Sequence, residues 1–312
     1  MSQADGGGEM RVIIPGGSGL IGRALAADLT TAGYQVILLS RDPGRVTALP
    51  AGVSVERWNG RTADGWRHLA DGSVAIINLT GENLAGGRWT AERKQRIIRS
   101  RVDAGQAIVE AIKAAAVKPG VVIQASAVGY YGPHGDEKLT ETAAAGNDFG
   151  ARVTVDWEAS TAPVEMQGVR RVIIRSGVVL SPQGGALPRL MRPYRFFVGG
   201  PLGSGRQWLS WIHIADEVAV IRFLMENPAA SGPFNASAPG TATNAEFGKM
   251  LGRVIGRPSW IPVPAFAMRL LFGEMATVLL DGQRVVPDRL LKLGFTFRFP
   301  QPELALRDLL RE

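Results

Sequence analysis

From Met10 to Gly22 the chain reads Met-Arg-Val-Ile-Ile-Pro-Gly-Gly-Ser-Gly-Leu-Ile-Gly, a β-branched run followed by glycines spaced Gly16-x-x-Gly19-x-x-Gly22. A helical pattern starts at Leu20, with Ile21, Leu25, Leu29 and Ala32 on one face and Gly33 placed to end it. A strand, a glycine turn and a helix in that order suit a dinucleotide. The turn must be tight, the backbone must approach a pyrophosphate closely, and the helix N-terminus must meet its charge. The same glycines would also serve a turn that only packs helix on strand. A second strand predicted at Gln35 to Leu39 completes a βαβ start and favours the dinucleotide reading.

Further apolar runs predict strands at Val53 to Val55, Val74 to Leu79, Val121 to Ala125 and Val172 to Ile174, separated by helical stretches. That alternation predicts an α/β fold with a doubly wound parallel sheet buried on both faces. A long helix is expected from about Thr90 to Ala116, turning Ile98, Val102, Gly105, Val109 and Ile112 to the core. Its basic flank, Arg93, Lys94, Arg96, Arg99 and Arg101, reads as a solvated face or as an anion-attracting rim beside the cleft.

After Leu180 the composition shifts. Pro and Gly punctuate Ser181 to Gly205, a helix is expected at Asp216 to Asn227, and Pro258, Pro262 and Pro264 interrupt the chain before its terminal helices. The expected organisation is a flexible tail at 1–9, a nucleotide-binding domain at 10–180 to which 206–237 return, and a smaller C-terminal substrate lobe from 181–205 and 238–312. The apolar stretch Ile261 to Leu280 is interrupted by Pro262, Pro264, Arg269 and Glu274, so it predicts an amphipathic core helix and no membrane span.

Composition closes several routes. Without cysteine there is no disulfide, thiolate metal site or thiol nucleophile, and His68, His134 and His213 lack ligand spacing, so no metal site is expected. The net charge of +7 is spread along the chain with no module for reading nucleic acid. The first nine residues are polar and glycine-rich with no targeting pattern, which makes a cytoplasmic address the expectation.

Strand two ends Leu39-Ser40-Arg41-Asp42-Pro43. An acid there would hold the ribose 2′-hydroxyl of NAD; Ser40 stands in its place, and Arg41 suits a 2′-phosphate, so NADP(H) is favoured. Asp42 before Pro43 reads as a turn residue.

Together with Asn78-Leu-Thr-Gly-Glu82, Ala125-Ser-Ala-Val-Gly-Tyr-Tyr-Gly132 and Trp211-Ile-His-Ile-Ala-Asp-Glu217, these features resemble the extended short-chain dehydrogenase/reductase superfamily. More narrowly, Gly87-Arg-Trp-Thr90, Ser100-Arg101, Asp156-Trp-Glu158 and a tail running from Arg257 to Leu293-Gly-Phe295 resemble its atypical epimerase branch of the 39U type, which carries a C-terminal domain of unknown function. The resemblance covers about residues 10 to 310. It implies a Rossmann core and a second lobe like that of sugar-nucleotide epimerases. By the same resemblance Gly16, Ser18, Gly19, Leu20, Ile21 and Arg41 line the adenine ribose and pyrophosphate, with Asn59 near the adenine. Leu79, Thr80 and Gly81 pass under the nicotinamide ribose, Ser176, Gly177 and Val178 approach the nicotinamide, and Ala125 at the end of its strand is a further cofactor-binding position. Plain sheet packing explains each apolar or glycine position as well.

Ordinary members use Tyr-x-x-x-Lys, in which the lysine lowers the tyrosine pKa for proton exchange with the substrate oxygen. Here Tyr34, Tyr130, Tyr131 and Tyr194 are followed four places later by Leu38, His134, Gly135 and Val198, and counting back from Glu158 puts Gly150 and Thr154 at the expected positions. The active-site hydroxyl is displaced as well: Ser126 stands one place before the usual position, now Ala127. Ser126 remains a candidate to hydrogen-bond a carbonyl, Tyr131 to act as an acid, and Glu82 to act as a base; local capping, packing and a solvated carboxylate are their respective alternatives.

Two functions stand open. One is an NADP(H)-dependent oxidoreductase or epimerase-like enzyme on a small molecule, an anionic one if the basic rim faces the cleft. The other is a non-catalytic NADP(H)-sensing scaffold, suggested by the cell-division label of some cyanobacterial and plastid relatives. A hydrolase is disfavoured by the missing Gly-x-Ser-x-Gly elbow.

Overall fold

A computed structural model describes residues 10–311; the tail expected at 1–9 lies outside them. The strands β1 Arg11–Pro15, β2 Gln35–Ser40, β3 Val53–Arg57, β4 Ala75–Asn78, β5 Val121–Ala127, β7 Arg170–Ser176 and β12 Gly232–Ala236 form one parallel sheet ordered β12-β7-β5-β4-β1-β2-β3. Short strands pair around it. These are β6 Lys138–Leu139 with β14 Arg284–Val285, β10 Trp208–Leu209 with β13 Ala242–Thr243, and β8 Val178–Ser181 between β9 Gly184–Gly185 and β11 Trp211–His213.

The sheet is hydrophobic on both sides because alternate residues serve different helices. Val12, Ile14, Val36, Leu38, Ile77 and Ile123 pack toward α1 Leu20–Thr31 and α5 Ile214–Glu226. Ile13, Ile37, Leu39, Ile76 and Val122 pack toward α2 Ala91–Ala114. Each such side chain contributes about 1.5 to 3 kcal/mol on burial. The strand order runs outward in both directions from the β1–β4 boundary, and in open α/β sheets that reversal opens a crevice at the carboxyl ends.

α1 ends as its sequence implies. Gly33 adopts φ +89, its N–H donates to Thr30 O, and Tyr34 N–H donates to Leu29 O, the paired bonds of a glycine-terminated helix. α5 starts on His213, whose Nδ1 accepts from Ala215 N at 3.0 Å. The last strand of the sheet is absent from the sequence reading. Pro233 breaks its pattern, and it is tolerated because β12 is an edge strand.

Two expectations need correction. The buried stripe of α2 is Ile97, Arg101, Ala104, Gly105, Ala107, Ile108, Ala111 and Ile112; of the expected face Gly105 and Ile112 are buried, whereas Ile98, Val102 and Val109 are only half-buried, so the stripe is rotated toward Ile97 and Ile108. Small side chains decide this: Ala104, Ala107 and Ala111 bring the helix close to the sheet. At Gly105 an added Cβ would stand 1.9 Å from Ser160 Oγ of α3 Phe149–Ser160. Second, Ile261 to Leu280 is not one core helix. It divides into α7 Ala265–Phe272, a 3-10 turn at Gly273–Ala276 and a single turn at Thr277–Leu280, with Phe266, Leu270 and Leu271 in solvent. The glycine at φ +62 breaks the helix before it can form a continuous face. No helix among the described residues is long and apolar enough to cross a membrane.

The later chain adds α4 Leu187–Arg195, α6 Asn244–Val254 and a last helix at Pro302–Leu309 around Leu180, Trp211, Phe247, Leu251 and Leu306. Asp216, in the first turn of α5, accepts from Arg298 N and Phe299 N at 2.9 Å and ties this cluster to the sheet.

Candidate functional site

The β1–α1 turn is a cradle that leaves no room for a side chain at Gly16, Gly17 or Gly22. Gly16 sits at φ +76, and a Cβ there would stand 2.8 Å from the Leu79 carbonyl. At Gly22 it would stand 2.4 Å from Gly17 Cα, so the helix presses directly on the turn. Gly19 caps α1 in extended conformation with no side-chain bond and no acid in the first turn, leaving the helix N–H groups available to an anion. Ser18, Gly19 and Leu20 also form one wall of a cavity of about 730 Å3; Gln183 and the α5 start, Ile214 and Ala215, form the other. Ile21 packs on the core. Arg41, Asn59, Thr80 and Ser176 lie outside this cavity's wall.

At the end of β2 the side chains of Ser40 and Asn59 shape loops. Ser40 Oγ accepts from Asp42 N at 3.3 Å, and Asp42 pairs with Arg45 at 2.9 Å. Asn59 Oδ1 accepts from Arg61 N and Thr62 N, while its amide donates to Thr62 Oγ1. That turn lays Gly60 along Arg41, where a Cβ would be 3.7 Å from the Arg41 Cδ. The exposed Arg41 guanidinium pairs with no carboxylate among the described residues.

At the end of β4, Leu79 N donates to Pro15 O at 2.9 Å and brings this loop against the glycine turn. Thr80 N donates to Asn78 Oδ1, but the Thr80 hydroxyl is buried with no hydrogen-bond partner. Nothing else in the chain takes up the hydrogen-bonding capacity of that hydroxyl. Arg101 lies under Gly81, donates to the carbonyls of Glu82 and Ile97, and stacks on Trp157 at 4.7 Å. Burial holds its pKa down to about 10. The flank therefore does not act as one rim. Arg101 is 7% exposed and supports the loop from within; Arg93 and Arg96 approach the Glu82 carboxylate at 3.5 and 3.7 Å, and Lys94 pairs with Glu274.

Ser126 and Tyr131 meet in one buried network. Ser126 Oγ donates to Glu158 Oε1 at 2.6 Å, and Glu158 is held in two-point contact by Arg175 at 2.9 and 3.0 Å. Arg175 also donates to the Tyr131 hydroxyl at 3.0 Å, which donates in turn to Asn235 Oδ1 at 2.7 Å. The Asn235 amide reaches Val286 O, and Asn235 N donates to Glu141. Tyr131 is fully buried, and burial pushes its pKa up despite the neighbouring Arg175. Register explains the position of Ser126. It lies opposite Arg175, whereas Ala125 and Ala127 lie opposite Ile174 and Ser176. One place along a strand is the other face of the sheet, so the displaced serine turns toward α3.

The Ser176 face holds a group that the sequence reading missed. Ser176 Oγ donates at 2.5 Å to Glu217 Oε1, from the first turn of α5. Glu217 is buried, its Oε2 has no partner, and burial pushes its pKa up to about 7. The Asp-Glu pair after Trp211-Ile-His213 was the available signal, but nothing local distinguishes it from an ordinary acidic helix start. Beyond Ser176, Gly177 allows no side chain, since a Cβ would meet Ser210 O at 2.8 Å, and Val178 begins β8 half-buried.

Residues 12–237 match the family model described as NAD dependent epimerase/dehydratase family, and 263–309 match a domain of unknown function, DUF1731. Epimerase family protein YfhF of Bacillus subtilis is 38% identical over 304 residues, 97% of this chain and 99% of the relative. Epimerase family protein SDR39U1 of Mus musculus is 38% identical over 309 residues, 96% of this chain and 99% of the relative. The crystal structure of human epimerase family protein SDR39U1 (isoform2) with NADPH superposes with TM-score 0.86 at 34% identity, over 96% of this chain and 99% of that one. A UDP-glucose 4-epimerase of Thermus thermophilus, at TM-score 0.76 and 17% identity over 96% of this chain and 97% of that one, shares the fold.

Proposed function

The chain belongs to the NAD dependent epimerase/dehydratase family, and on that premise we propose that it binds NADP(H) and acts as an oxidoreductase or epimerase-like enzyme on a small carbonyl or sugar-nucleotide substrate. One observation carries the cofactor reading: a glycine cradle beside a strand that ends in Ser40, where an acid would repel a 2′-phosphate, followed at once by an unpaired Arg41. Gly16, Ser18, Gly19, Leu20, Ile21 and Gly22 hold the pyrophosphate and its ribose in this reading. Arg41 grips the 2′-phosphate, with Ser40 and Asn59 fixing the loops on either side. Leu79, Thr80 and Gly81 support the nicotinamide ribose, and the unpartnered Thr80 hydroxyl supplies a hydrogen bond. Ala125, Ser176, Gly177 and Val178 bound the nicotinamide end. Bound there, the cofactor would give or accept a hydride. Segments 181–205 and 238–311 close the substrate side. The NADPH in the human relative's crystal structure supports the choice of cofactor.

A charge-assisted phosphate contact contributes about 1.5 to 3 kcal/mol, so Arg41→Asp should weaken NADPH about ten- to hundred-fold while sparing NADH. Calorimetry measures both, and equal losses would refute the role. Catalysis is tested by single-turnover oxidation of bound NADPH across a carbonyl library; inertness of folded protein would count against an enzyme.

A second reading, a non-catalytic NADP(H) sensor, is favoured by one observation: the Ser126 and Tyr131 hydroxyls are both taken up inside the buried network. It predicts partner capture that differs between NADP and NADPH. Equal capture with either nucleotide and with none would exclude it.

A further inference from the structure

Exposed aromatic side chains gather where two segments of the later chain are laced together. Phe196 and Phe197 follow α4, and Trp260 follows α6; they are 68%, 53% and 67% exposed, with Val198 and Ile261 beside them. Trp260 N and Ile261 N both donate to Gly199 O, at 2.9 and 3.1 Å, and the Trp260 indole donates to Phe197 O at 2.9 Å. The polar group of the indole is thus satisfied by backbone while much of its ring stays in water. Phe197 adopts φ +60, a conformation that a bulky side chain rarely takes. Strain maintained around an apolar surface patch points to an occupant.

Cations frame the patch. Arg192 and Arg195 lie one turn apart on the exposed side of α4, and the Arg257 guanidinium is 4.6 Å from the Phe197 ring centre. None of the three pairs with a carboxylate among the described residues. Next to Arg257 opens a hollow of about 450 Å3 lined by Lys249, Arg253 and Arg257, with glycine backbone, proline and Ser259 and no acid. Arg253 also pairs with Glu303 at 2.8 Å.

We propose that this face seats on an anionic phospholipid surface, with Phe196, Phe197 and Trp260 entering the headgroup boundary and a lipid phosphate resting in the cation-lined hollow. Aromatic rings flanked by arginines match that layer, since its acyl edge accepts the rings and its phosphates attract the cations. A second copy of the chain is the poorer occupant. A two-fold contact through the patch would bring two sets of Arg192, Arg195 and Arg257 into one interface, with no acid among the patch residues to offset them.

The full chain is sedimented with phosphatidylcholine vesicles carrying phosphatidylglycerol and with phosphatidylcholine alone. Capture by the anionic vesicles only, weakening as salt is raised, is the expected result. Each arginine near an anionic surface is worth roughly five-fold in binding, so Arg192→Gln with Arg195→Gln should lose roughly 25-fold. Trp260→Ser should lose at least about ten-fold, and so should Phe197→Asn, in which asparagine tolerates the positive φ. Thermal melting checks folding, and Phe196→Ser replaces any variant that fails it. Failure to bind anionic vesicles, equal capture by neutral ones, or capture indifferent to the arginine changes would overturn the proposal. So would release by soluble glycerol phosphate, or a dimer in light scattering that Trp260→Ser turns into monomer.

Discussion

Replacing Glu217 by Gln isolates the energetic consequence of burying a carboxyl beside Ser176. Glutamine keeps the shape and can still accept the Ser176 hydrogen bond, but it cannot ionise. Burial pushes the Glu217 pKa from 4.5 to about 7, and at about 1.4 kcal/mol per pH unit that gap is worth about 3 kcal/mol. The folded pKa is raised, so the stabilisation of the neutral acid is fully present below about pH 4.5 and is lost as pH rises through 7. Most of the change falls between pH 5 and pH 8.5. Urea unfolding followed by circular dichroism at those two pH values, for the wild type and for Glu217→Gln, should show the variant gaining about 2 to 3 kcal/mol on the wild type as pH is raised. A stability difference equal at both pH values would show that the carboxyl does not titrate in the folded state as burial requires.

Two further substitutions address the framework. Arg175→Met leaves Glu158 buried without its cation and should destabilise the fold by about 3 to 5 kcal/mol in the same assay; a loss below about 1 kcal/mol would mean the network is not held by charge pairing. Gly22→Ala forces a Cβ toward Gly17 and should cost about 1 to 3 kcal/mol while weakening NADPH, and an unchanged calorimetric isotherm would separate the cradle from the cofactor.

The parallel sheet and its first βαβ unit were legible because their signals are local. Gly33 after a helical stripe, glycines at fixed spacing and β-branched runs each have a meaning that neighbours in sequence supply. The stripe of α2 was misread because periodicity shows which residues are apolar, and not that alanines let a helix approach closely enough to bury Arg101 as well. Ile261 to Leu280 was misread because hydropathy does not register a glycine that breaks the helix through backbone conformation.

By itself the sequence determined the strand–turn–helix cradle, the alternation that builds a parallel sheet, and the absence of the tyrosine–lysine pair. Each is a matter of which residues stand where along one stretch of chain. Only the tertiary structure decided that Ser126 faces Glu158, that Arg175 joins Tyr131 to Glu158, and that Glu217 is buried against Ser176. Those outcomes depend on strand register and on helices that arrive from distant parts of the chain. Burial, which sets the strength of each hydrogen bond and the charge state of each acid, exists only after the elements have packed.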